Sequence, residues 1–369
     1  MRIAVLWTRL SGYLNACLKE LHSRSQVELF VTHQVPATVA PFEEEQVAWI
    51  KNRLTWRSQA DLAGLNERLW SFSPEILVVS GWAIPRYRQA LKENRGRCFR
   101  IMTMDNCWLA TPRQWFATMI ARAYLQPLAD AVWLPGERQA IFARKLGFVQ
   151  RAILGGLYSC DQVDLEAMHV LRVQEGRHVP RQFLFVGRFV PEKGIDTLVR
   201  AYQDYHAKSA EPWPLVCCGA GPLLSRLEGQ PGITVEGFLQ PQALRAKFGA
   251  SGCLVLPSEF EPWAVVVHEA TSAGLLVLAS DKVGSVVHLV QDKWNGYVFD
   301  SNDVKGLSSL MTRIEHMNDR ERDAMSRASN LLSKQFSPTR WADTLLQAGD
   351  RGRTLEKTCV PFTAGRHPE

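Results

Sequence analysis

At 369 residues, with 46% hydrophobic and 22% charged positions, the chain has the composition of a soluble globular protein and the length of two domains. No apolar run approaches the roughly 20 residues that span a bilayer, and the eight cysteines show neither a C-x-x-C pair nor a disulfide-framework spacing, so reduced thiols in a cytosolic protein are expected. The net charge of +6 belongs to the first half: residues 1–165 carry 20 Lys/Arg against 14 Asp/Glu, and residues 166–369 carry 23 of each.

The start, "MRIAVLW", is a strand-like run without a basic leader, so no secretory signal is expected. Alternating apolar runs and amphipathic stretches then follow, the pattern of βαβ units. Strands are expected near 2–7, 26–32, 75–80, 98–103, 130–134 and 151–154, with helices over 13–23, 60–72, 85–93, 111–127 and 137–146. The basic excess, densest at "KENRGRCFR", fits a solvated surface, an anionic acceptor or the cytoplasmic face of a membrane. The stretch Thr111 to Asp130 mixes aromatic residues with Arg113 and Arg122, and reads as a core-facing helix or one lying on a membrane. No zinc knuckle or RNP-like motif is present, so no nucleic acid is expected as partner.

Residues 163–181 are polar and read as a linker, after which the pattern restarts. Strands are expected near 182–186, 214–217, 232–235, 253–256, 276–279 and 297–299, and helices over 194–207, 221–227, 241–248, 264–273 and 303–332. The expected layout is therefore a first Rossmann-like domain over 1–162, completed by a helix in 336–350, and a second over 182–335. The remainder, 351–369, reads as a loosely ordered tail. Two doubly wound domains facing across a cleft bind ligands outside the carboxyl ends of their strands.

The motifs at those ends carry the chemistry. "FLFVGRFVPEKG" places Gly187, Arg188 and Lys193 on one short connection, where a guanidinium and an ammonium suit a diphosphate. "CCGAG" offers Gly219 for a tight turn without a full G-x-G-x-x-G fingerprint, and "VEGF" offers Gly237 and Phe238. "EPWAVVVHE" sets Glu261 before a helix with Pro262 in its first turn, so the amides of Trp263, Ala264 and Val265 face an anion. Glu269, two turns along in an apolar run, needs either a cationic partner or a vicinal diol such as a ribose.

Taken together these segments, with "DKWNGYVF", resemble the second domain of retaining glycosyltransferases of family 4, which have the GT-B fold. The resemblance is strong over about 180–300 and weaker over 1–160. It implies that Gly187, Arg188 and Lys193 hold the diphosphate of a nucleotide-sugar, UDP- or GDP-linked, and that Glu269 holds its ribose. Glu261, the first glutamate of an E-x7-E motif, would then contact the sugar, and no cofactor or metal is implied. Gly12 would join the donor-binding residues from the first domain, and Asp105, catalytic together with Glu261, would serve the acceptor side, with a glycan or lipid-linked sugar as acceptor. The implied setting is bacterial surface polysaccharide or glycoconjugate synthesis, in the cytoplasm and peripherally on the inner face of the membrane.

The sequence departs from the family pattern at three places. Ala264 stands where Gly is usual, only Gly12 replaces a common glycine pair, and Met104 precedes Asp105 where many members have His. Asp105 or Asn106 is then expected to orient the acceptor, with His33 as a candidate replacement for the imidazole and His268 as a packing residue. The missing His also motivates an alternative: a catalytically silent nucleotide-sugar-binding protein.

Overall fold

The computed structural model describes residues 1–35 and 44–358. In chain order the first half holds β1 (Arg2–Leu6), α1 (Gly12–Ser23), β2 (Glu28–Gln34), β3 (Asn52–Trp56), α2 (Leu65–Phe72), β4 (Ile76–Ser80), α3 (Pro85–Glu93), β5 (Phe99–Thr103), α4 (Pro112–Tyr124), β6 (Ala131–Trp133), α5 (Glu137–Lys145) and β7 (Ile153–Leu154). Its strands form one parallel sheet in the order β3-β2-β1-β4-β5-β6-β7. The continuous apolar runs of β1 and β4 reflect burial on both faces. β3 is an edge strand that the sequence reading did not include. Its "NRLTW" alternates polar and apolar residues, and Trp56 donates to the buried Tyr87 hydroxyl at 2.8 Å.

The second half begins with α6 (Val163–Gln174), followed by β8 (Phe183–Val186), α7 (Ile195–Lys208), β9 (Leu215–Cys218), α8 (Leu224–Leu227), β10 (Ile233–Gly237), α9 (Pro241–Ala250), β11 (Cys253–Leu256), α10 (Val265–Ser272), β12 (Leu276–Ser280), α11 (Val286–Leu289), β13 (Gly296–Phe299), α12 (Val304–His316) and α13 (Asp319–Ser333). The second sheet is also parallel, ordered β10-β9-β8-β11-β12-β13. The expected linker 163–181 is corrected here: most of it is α6, which packs on α9 and α10. Its polar composition conceals a narrow buried stripe of Leu165, His169 and Arg172. The single helix expected over 303–332 is two helices, divided at Asn318, whose side chain forms a capping box with Glu321.

The last helix, α14 (Pro338–Thr358), returns to the first sheet and packs along α1. It buries Trp341, Ala342, Leu345 and Ala348 beside β1 and α1, and Trp341 Nε1 donates to Leu157 O at 2.9 Å. The expected loose tail 351–369 is helical as far as Thr358, and 359–369 lie outside the described residues. In each sheet the strand order reverses beside the first strand of the half, between β1 and β4 and between β8 and β11. The crevice at such a switch point is where a ligand fits.

Candidate active site

The loops leaving β8 and β11 are laced together. Gly194 has φ +67°, and a Cβ there would collide with Pro257 O. Glu259 N donates to Glu192 O at 2.9 Å. This close approach brings Lys193 Nζ into direct contact with Glu261 Oε2, 68 residues away in sequence, and both side chains are largely buried. Burial and the neighbouring Arg188 guanidinium push the Lys193 ammonium down to about 8, while the Glu192 carboxylate opposes the fall. The two groups expected to meet the diphosphate and the sugar therefore hold each other.

Behind Glu261 the chain is fixed by the turn before α11. Gly284 N donates to Glu261 O and Ser285 N to Trp263 O, each at 2.9 Å. Gly284 is required there because a Cβ would meet Pro262 O. The amides of Trp263, Ala264 and Val265 donate to no backbone carbonyl among the described residues, which leaves them available to an anion at the start of α10. Ala264 has φ +73°, so the glycine usual at this position supplies backbone freedom as well as space.

Glu269 lies one to two turns into α10, at the wall of a cavity of about 520 Å³ between the two halves. The first half contributes Gly12, Tyr13 and Asp161 to this cavity, and the second contributes Phe238 and Arg245. Desolvation raises the Glu269 carboxyl to about 7, with Asp161 adding to the rise and Arg245 opposing it. Of the two partners open at the sequence level, the cation is already engaged: Arg245 Nη2 bonds Asp161 at 2.7 Å and Nη1 contacts Asp164. The Glu269 carboxylate has no hydrogen bond or ion pair among the described residues.

Phe238, Leu239 and Leu244 also line a second cavity of about 220 Å³ that reaches Gly187, Arg188 and Gly219. The two spaces thus share a wall. A Cβ on Gly219 would strike Gly187 O, and Gly219 N donates to Gly237 O at 2.6 Å, so the glycine turns after β8, β9 and β10 sit against one another. Among the described residues no cluster of three or more His, Cys, Asp or Glu side chains is arranged to hold a metal ion.

On the opposite wall, Asp105 follows β5 and accepts from Tyr158 Oη at 3.2 Å, while the Tyr158 ring packs edge-on against Tyr13. Burial raises both phenols, and Asp105 adds to each rise. Gln139 spans the cleft, its Nε2 reaching Pro262 O at 2.6 Å and Asp105 O at 3.4 Å, so it bridges the Asp105 backbone to the segment next to Glu261. Met104 is buried in the core of the first half. His33 is buried in β2, with Thr55 Oγ1 and Gln34 O as neighbours. His268 is buried too, accepting from Cys160 N at Nδ1 and donating to Ser333 O from Nε2, and desolvation lowers it to about 4.

Sequence reading did not single out Gln139, Tyr13, Tyr158, Asp161 or Arg245. Of these only Arg245 carried a usable signal, since it lies one helical turn beyond Pro241 in the helix that follows Phe238. A further cavity of about 490 Å³, between Gly136, His288 and Arg340, contains none of the expected site residues.

The family model described as "Glycosyl transferases group 1" matches residues 171–331. A D-inositol 3-phosphate glycosyltransferase of Mycolicibacterium smegmatis is 30% identical over 195 residues, 49% of this chain and 43% of that one. An uncharacterized glycosyltransferase of Methanocaldococcus jannaschii is 31% identical over 134 residues, 33% of each chain. The alignments therefore span less than half the length of these curated relatives. Among solved structures, Anabaena HepE in complex with UDP superposes with a TM-score of 0.67 at 16% identity, covering 97% of this chain and 100% of that one. Sucrose-phosphate synthase from Thermosynechococcus elongatus gives 0.67 at 17% identity, covering 97% and 99%. The fold is GT-B, and the sequence matches support a glycosyltransferase.

Proposed function

We propose that the protein is a retaining glycosyltransferase of family 4 that moves a sugar from a UDP- or GDP-linked donor to a hydroxyl of a glycan or lipid-linked acceptor. The observation that carries this reading is the unpartnered Glu269 carboxylate in a cavity that shares the wall of Phe238, Leu239 and Leu244 with the one reaching Gly187 and Arg188. A ribose diol donates two hydrogen bonds to Glu269, and the diphosphate then reaches Arg188, Lys193 and the free amides at the start of α10.

With the donor in place Lys193 turns to the phosphates and Glu261 is released towards the sugar. The bond from the anomeric carbon to the diphosphate oxygen breaks as the acceptor oxygen bonds that carbon on the same face. The acceptor proton leaves with the diphosphate. Cations and backbone amides already in position stabilise the departing charge, so no bound metal is required. Asp105, fixed by Tyr158, orients the acceptor from the facing wall. The setting we infer is bacterial surface polysaccharide or glycoconjugate synthesis on the cytoplasmic side, with the basic first half touching a membrane.

Release of UDP or GDP from sugar donors, with and without lipid-linked acceptors, tests the reading. Acceptor-dependent release with the donor's anomeric configuration kept in the product supports it. Tight nucleotide-sugar binding without any release supports the alternative, a silent binding protein.

A further inference from the structure

We infer that α4 is a docking surface for an anionic lipid bilayer, held at the rim of the cleft. Only Ala121 of its 13 residues is buried, while Trp115, Phe116 and Met119 are 55%, 61% and 80% exposed. At 100° per residue these three and Ala123 share the face opposite Ala121, and Arg113 and Arg122 flank it on either side. An apolar strip bordered by cations, with no acidic residue in the helix, is the pattern of an interfacial helix and not of one awaiting a core. Lys145 adds a third cation at the edge, its Nζ 4.7 Å over the Trp108 ring and 5.6 Å over that of Trp115.

Charge identifies the occupant. Residues 85–151 carry 12 Lys/Arg and 4 Asp/Glu, a net of +8 that exceeds the +6 of the whole chain. Two of the four acidic groups are already spent on Arg100 and Arg144. The Trp115 indole favours the headgroup level of a bilayer, and the flanking arginines favour negative lipids there. No described helix is long and apolar enough to cross a membrane, so the contact is peripheral.

The helix is also tied to the cleft. Gln114 Nε2 donates to Cys107 O at 2.7 Å, and Cys107 Sγ lies 3.9 Å from Pro262 O, next to Glu261. A bilayer against α4 therefore lies beside the Asp105–Cys107 segment, which reaches across to Pro262. This orientation rests on the proposed transfer reaction; the docking itself does not.

The test is co-sedimentation of the full chain with vesicles of phosphatidylcholine alone and of equal parts phosphatidylcholine and phosphatidylglycerol, without donor. Binding to the anionic vesicles only, weakened by salt, is expected. The variant Trp115→Ser/Phe116→Ser/Met119→Ser should lose about tenfold or more of that binding. Arg113→Gln and Arg122→Gln should each cost about fivefold. Unchanged Tm in all variants shows that they fold. Equal binding by wild type and triple variant, no binding to anionic vesicles, or a wild-type dimer that the triple variant dissolves would overturn the inference. Nucleotide binding measured without vesicles keeps a failure here separate from a failure of the transferase reading.

Discussion

Replacing Glu269 by Gln should strengthen the empty protein and weaken its hold on a nucleotide. The Glu269 carboxyl rises from 4.5 to about 7 because folding strips its water. At about 1.4 kcal/mol per unit, its charge costs the folded state about 3 kcal/mol. Below pH 4.5 both folded and unfolded chains keep the proton and nothing is lost. The penalty grows as pH rises through this window and is complete above 7. E269Q should therefore raise Tm at pH 8 and leave it nearly unchanged at pH 4.

Binding should respond in the opposite sense, because a diol needs the carboxylate as its acceptor. If only the ionised form binds, affinity falls about twofold at pH 7 and about elevenfold at pH 6 relative to high pH. Hydrogen bonds to a charged acceptor contribute about 1.5–3 kcal/mol each, so E269Q should bind UDP or GDP at least about tenfold more weakly. Calorimetric titration from pH 6 to 8 reads both effects. The same series on E269Q retains the titrations of the diphosphate and of Lys193, so the difference isolates Glu269. An identical pH profile in the variant, or an equal loss with a 2′-deoxyribonucleotide, would refute the diol reading.

Arg188→Ala should cost about 2–3 kcal/mol of UDP or GDP affinity and leave uridine or guanosine binding unchanged; an equal loss for the nucleoside would place the diphosphate elsewhere. Glu261→Gln frees Lys193 from its ion pair, so nucleoside diphosphate affinity should rise while transfer falls about hundredfold or more. A fall in diphosphate affinity would show that the pair helps the nucleotide bind. Ala264→Gly removes the left-handed strain at φ +73° and should stabilise the fold by about 1 kcal/mol, visible as a higher Tm. A lower Tm would mean the methyl packs better than the backbone suffers.

Strands such as "FLFV" and "CLVL" were legible because parallel strands covered on both faces are uniformly apolar. With the strands in place, residues just past the carboxyl ends lie at the crevice, which is how Arg188, Gly219 and Phe238 come to line one cavity. Contacts made across long sequence separation were not legible. The Lys193–Glu261 pair depends on Gly194 letting two loops touch, and the Arg245–Asp164 pair joins α9 to a segment whose polarity reads as linker. The strain at Ala264 was hidden for another reason, since a side-chain comparison shows a methyl but not the backbone angle it must accept. Edge strand β3 escaped because half-polar alternation with few β-branched residues resembles a loop.

The most direct test of the account is a crystal structure of the protein with UDP or GDP bound. The ribose hydroxyls should lie on Glu269 and the diphosphate on Arg188, with Lys193 turned away from Glu261 to meet it. A nucleotide seated elsewhere, such as the cavity beside His288 and Arg340, with the Lys193–Glu261 pair intact, would contradict it.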